Sequence, residues 1–236
     1  MRSKQSGFTL VEIAIVLVII GLLLGGVLKG QELINSAKVK NLAQDFRNVP
    51  LFIYGYQDKF KALPGDDGQV VAHLGASADP GSTGGQTLGN GVIEGAWDSV
   101  TKTDESYLFW QHVRLAGLAA GPTNKDDTNY APRNADSGII GITTNNNTTP
   151  YITGMRGTYL VCSGSVLGKY AKQLDSTIDD GCPNTGSLRA VLGAPVGTTT
   201  ANVSVGLVPI AVGAVCPITA GAVMDDSASY TVCLTL

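Results

Sequence analysis

From Phe8 to Leu28 the chain is almost wholly apolar, broken only by Thr9, Glu12 and the glycines at 21, 25 and 26. As a helix rising 1.5 Å per residue, this run spans about 30 Å, the thickness of a bilayer's hydrocarbon core. It therefore reads as a membrane-spanning helix, and any fold of this chain must accommodate it. A cleaved secretory signal has a shorter apolar core that ends at a small-residue site of the Ala-x-Ala kind. The residues after this run, Gly26-Val27-Leu28-Lys29-Gly30, offer no such site. The processing-like junction lies before the run instead, at Gly7-Phe8, behind a short leader carrying Arg2 and Lys4. A cut there leaves the hydrophobic helix on the mature protein and, by removing two positive charges, takes the net charge from −3 to −5.

Glu12 is out of place near the start of such a run. A carboxylate inside hydrocarbon costs about 2.5–3.5 kcal/mol on insertion scales, and such residues usually have partners and functions. Snorkelling to the interface and the positive end of the helix dipole explain why Glu12 is tolerated, but they do not explain the Gly-Phe junction upstream.

The stretch Lys4-Gln5-Ser6-Gly7-Phe8-Thr9-Leu10-Val11-Glu12 resembles the cleavage and methylation signal of type IV prepilins and type II secretion pseudopilins, and the resemblance extends over residues 4–25. It implies that prepilin peptidase cuts between Gly7 and Phe8 on the cytoplasmic side, that Phe8 is then N-methylated, and that Glu12 acts in assembly. The physics agrees. The amine freed at Phe8 is a cation at the membrane surface, and pairing it with Glu12 of a neighbouring subunit offsets the burial of both charges. The partners implied are the peptidase, further copies of the chain, an inner-membrane assembly machinery and the lipid bilayer. The implied location is a single-pass inner-membrane precursor that later joins a periplasmic or cell-surface filament.

Beyond the membrane run, Val39, Leu42, Ala43, Phe46, Val49 and Ile53 continue a helical stripe. One helix from about Phe8 to about Lys59 is predicted, roughly 75 Å if continuous. Gly21, Gly25, Gly26 and Gly30 weaken it or let neighbouring helices approach closely, and Pro50 is expected to kink it. Many pilins carry a proline near the position of Lys29, which this chain lacks. Leu63-Pro64-Gly65-Asp66-Asp67 ends the helix in turn chemistry. This divides the chain into a leader (1–7), a membrane or filament-core helix (8–28), its amphipathic continuation (29–62) and a head (63–236).

In the head, residues 75–96 read as a long surface loop and about Asp104 to Ala120 as an amphipathic helix in which His112 is a packed residue. Thr143 to Thr149 reads as a polar loop. Gly157 to Cys162, Ser187 to Leu192, Val203 to Val208 and Tyr230 to Leu236 are strand candidates, and Leu167 to Ile178 forms a further helical stripe. The predicted class is α+β: a long N-terminal hydrophobic helix packed against a small antiparallel sheet, the layout of a type IV pilin.

Four cysteines, Cys162, Cys182, Cys216 and Cys233, form no C-x-x-C pair, and the two histidines are remote in sequence, which argues against zinc. An even number downstream of an export-like segment favours disulfides, with three formal pairings. The pilin resemblance implies Cys216–Cys233, leaving Cys162–Cys182. The pairs Asp66-Asp67, Asp179-Asp180 and Asp225-Asp226 read as turn residues rather than calcium ligands, and no metal or other cofactor is expected. Asn146, Asn147 and Asn202 fit the N-x-[ST] pattern, which is weak evidence of modification. No Lys/Arg-rich run is present, so nucleic-acid binding is not expected. No nucleophile elbow, H-E-x-x-H or phosphate-binding glycine loop is present, so no enzyme is expected. The leading function is a structural subunit of a type IV pilus or related filament. The alternatives are a type II secretion pseudopilin and, in a different class, a membrane-anchored extracytoplasmic binding module.

Overall fold

A computed structural model of the chain describes residues 9–82, 87–145, 151–193 and 224–236. The chain divides into two units, one ending at Lys38 and the other spanning Val39–Leu236. Helix α1, Leu10–Phe60, contributes to both and continues through Pro50 without interruption.

In the first unit, α1 is bare. Its most apolar window has a mean hydropathy of 2.8 and none of it is buried within the chain, so by length and composition the helix can cross a membrane. Leu10, Leu17, Leu22 and Leu28 are all more than three-fifths exposed. A Cβ added at Gly21, Gly25, Gly26 or Gly30 would meet nothing within 4 Å. The smallness of these four residues is thus not required by any contact inside the chain.

In the second unit, the same helix has a buried seam. Val39, Leu42, Ala43, Phe46, Val49 and Ile53, the six predicted positions, are all buried, and Tyr56 extends them. They enter one core with Phe109, Trp110 and Val113 of α3 (Glu105–Leu115) and Tyr170, Ala171 and Leu174 of α4 (Gly168–Ile178). A short α2, Val70–Leu74, was not foreseen. The second predicted helix is shorter than expected: α3 ends at Leu115, and Gly117 follows at φ 78°, a left-handed conformation that stops helices.

Among the described residues the sheet has four antiparallel strands, β1 (Ile140–Thr144), β2 (Tyr159–Leu167), β3 (Leu188–Leu192) and β4 (Ser229–Thr235), in the order β1-β2-β4-β3. Both faces are covered, and side chains alternate between them as the two-residue period of a strand requires. Val161, Ala190 and Val232 face the core shared with α1, whereas Leu160, Cys162, Val191 and Cys233 face a smaller cluster with Trp97, Tyr151, Ile152 and Met155. The predicted α+β layout, a long apolar helix with a small antiparallel sheet, is the one observed.

Two local expectations need correction. Ile140–Thr144 is strand β1, although its last two residues were read as the start of a polar loop. The stretch 75–96 is not only surface: Ala78, Ile93, Glu94 and Ala96 are buried. It is held against β1, where Ile93 N–H donates to Thr144 Oγ1 (2.7 Å) and Thr143 Oγ1–H donates to Gly95 O (2.7 Å). The strand candidate Val203 to Val208 and the Asn146, Asn147 and Asn202 motifs lie outside the described residues.

Candidate functional site

Thr9 precedes α1 and Glu12 lies in its first turn. The two side chains cap the helix reciprocally. Glu12 Oε2 accepts from Thr9 N–H (2.8 Å) and from the Thr9 hydroxyl (2.6 Å), while Glu12 N–H donates to Thr9 Oγ1 (3.3 Å). This is a capping box: it satisfies amides that a helix start leaves orphaned and puts a carboxylate at the positive end of the dipole. Sequence reasoning isolated Glu12 and missed Thr9, although T-x-x-E before an apolar run is a legible signal. Within the single chain Glu12 thus has a partner before any second subunit is considered. Gly7 and Phe8 lie outside the described residues.

The cysteines differ from the pairing the resemblance implied. Cys162 bonds to Cys233, with Cα atoms 4.1 Å apart. The reason is strand order. β4 inserts between β2 and β3, and the register places Cys162 directly opposite Cys233. Neither Cys162–Cys182 nor Cys216–Cys233 is therefore formed. Cys182 is disulfide-bonded as well, and Cys216 lies outside the described residues.

The end of α1 is held in the head by a buried polar network. Gly65, at φ 95°, donates its N–H to His112 Nδ1 (2.9 Å), and His112 Nε2–H reaches Asp79 O (2.9 Å). Both ring nitrogens are used and burial pushes the imidazole pKa down, so this histidine is neutral and structural. Asp67 Oδ2 accepts from Tyr56 Oη–H (2.7 Å) and lies 2.7 Å from His73 Nδ1. Asp66 accepts from the amides of Gly89, Asn90 and Gly91. The Asp66-Asp67 pair therefore anchors the loop at 89–91 through Asp66 and links α1 to α2 through Asp67. Among the described residues no group of three or more His, Cys, Asp and Glu side chains is placed to hold a metal ion.

Residues 2–28 match the family described as the prokaryotic N-terminal methylation motif. A comparison with curated proteins finds no match. The match takes in the Gly7-Phe8 junction, the Thr9–Glu12 capping box and the apolar part of α1 as far as Leu28, and it stops short of the second unit. The chain thus carries, at its N-terminal end, the prepilin-type methylation signal shared by type IV pilins and pseudopilins.

Proposed function

We propose that this chain is a structural subunit of a type IV pilus or pilus-like filament. Prepilin peptidase cuts it between Gly7 and Phe8, the new N-terminus at Phe8 is methylated, and the N-terminal helix polymerises. The observation that carries this reading is the methylation motif lying on a helix whose apolar half has no cover within the chain. The same pair of features fits a precursor anchored in the inner membrane. Lipid covers the helix there, and neighbouring helices cover it in the filament. Gly21, Gly25, Gly26 and Gly30, where an added Cβ would meet nothing within 4 Å, support close helix approach between subunits.

Glu12 takes the assembly role by exchange. In the single chain Thr9 holds its carboxylate, and in the filament the methylated amine of a neighbour's Phe8 competes for it. A charged partner makes a stronger, charge-assisted hydrogen bond than a neutral hydroxyl does. Glu12→Ala is accordingly expected to be cut and methylated normally but to be lost from filaments. Intact mass checks the first part, showing a chain without residues 1–7 and heavier by one methyl group. Immunoelectron microscopy of sheared surface filaments checks the second. Retention of residues 1–7 would favour a membrane-anchored binding module instead. Processed protein that never appears outside the outer membrane would favour a pseudopilin.

A further inference from the structure

Strand β2 is interrupted. Its pairing with β4 shifts register between Ser163 and Val166, so Gly164 and Ser165 form a bulge. Ser165 has φ 56°, and Ser137, in the loop before β1, has φ 66°. Among the described residues only three non-glycines have positive φ, and these two line the same cavity, of about 430 Å³. Left-handed non-glycine backbone is strained, and both such strain and β-bulges concentrate beside functional sites.

The rim of this cavity is pinned. Buried Asn134 donates from Nδ2 to Ser163 Oγ (2.7 Å) and Gly164 O (2.7 Å). Its Oδ1 accepts from the amides of Asp136 and Gly138, each at 2.9 Å. Arg133 Nη1–H donates to Ser137 O (2.8 Å). The glycines are required by close approach: a Cβ on Gly138 would fall 1.8 Å from the Gly164 carbonyl oxygen, and one on Gly164 would lie 3.2 Å from the six-membered ring of Trp97. A ligand entering here meets a surface that is already organised, which lowers the ordering cost of binding.

The lining combines Trp97 and Ile139 with one carboxylate, Asp98, one guanidinium, Arg133, and the hydroxyls of Ser229 and Thr231. An anion would meet Asp98 and a cation would meet Arg133. A neutral ring with an apolar face and hydroxyls around its edge suits every one of these groups, and a pyranose is such a ring. The volume falls in the range of small-molecule sites, which are apolar with a few placed polar groups. We propose that this cavity binds a neutral hexose unit of a glycan. The proposal stands on the head alone and does not depend on the filament reading.

The test uses the full-length protein in a detergent without a sugar head group. Saturation-transfer NMR and calorimetric titration are run with D-glucose, D-galactose, D-mannose and N-acetyl-D-glucosamine. At least one of the four is expected to bind. Arg133→Ala is expected to weaken that sugar at least tenfold and Ser229→Phe, which fills the cavity, to abolish binding. Both residues are exposed, so an unchanged melting temperature in each variant shows that the site, not the fold, was altered. Absence of binding by all four sugars, or unchanged affinity in either variant, overturns the proposal.

Discussion

Residues 10–38 and 39–60 of α1 belong to one helix but have different surroundings. In the first stretch Leu17 is 65% exposed, whereas in the second Phe46 is 1% exposed. The first stretch is apolar all round as far as Leu28, whereas the second is one-sided: Lys40, Gln44 and Arg47 stand exposed while Leu42, Phe46 and Val49 are buried. A one-sided stripe marks a helix whose cover is supplied by its own chain, and an all-round apolar surface marks one whose cover comes from outside. Cover from within the chain and cover from outside it are therefore specified in successive segments of a single element.

The sharpest way to break this contrast is to truncate matched side chains in the two stretches. Phe46→Ala is expected to destabilise the head by about 3–5 kcal/mol, a buried-aromatic loss plus a cavity. Leu17→Ala should leave thermal melting of the detergent-solubilised chain unchanged. A comparable loss from Leu17→Ala would show that the head covers the first stretch after all.

Next in size is the bond between β2 and β4. Cys162 and Cys233 are 71 residues apart, so by loop entropy the bridge contributes about 4 kcal/mol. Replacing both by serine should lower the melting temperature of the head while leaving membrane insertion intact. Peptide mapping without reduction should recover a 162–233 link.

A smaller effect depends on pH. Asp175 on α4 is fully buried, and burial pushes its carboxyl up to about 7. Its folded pKa lies above the unfolded value of about 3.9, so the folded state keeps the proton between about pH 4 and 7. The contribution of this group is then fully present below about pH 4 and is lost as pH rises through about 7. Compared with the wild type, Asp175→Asn should be the more stable protein at pH 8, and the difference should vanish near pH 4. Parallel pH profiles of the two would refute the assignment.

The smallest effect belongs to the exposed stretch. Thr9→Ala removes one side of the capping box, about 1 kcal/mol confined to the first turn. Faster amide exchange at Leu10 to Glu12 in micelles, with unchanged head melting, is the expected signature.

What the sequence made legible follows the same division. The apolar run and the six-residue seam of α1 were readable because long, uninterrupted periodicity carries its own confirmation. Strand β1 was not, because Gly141 interrupts it at its second position. That glycine is explained only by tertiary contact: a Cβ there would fall 1.7 Å from the Trp97 carbonyl oxygen. The disulfide pairing depended on strand order, which no spacing of cysteines encodes. Thr9 was the opposite case, a local motif in plain view that the unusual charge beside it obscured.

The position of β4 has a kinetic consequence. Of the four strands it comes last in sequence, yet its partners are β2 and β3. Among the described strands β3 pairs only with β4, so this sheet cannot grow in the order in which the chain emerges. Closing it requires contacts between residues some 70 positions apart, as Cys162 and Cys233 are, and such distant pairings slow folding. Until that strand arrives, the β1–β2 pair leaves the head with an unpaired strand edge, which β4 must cover before β3 can join.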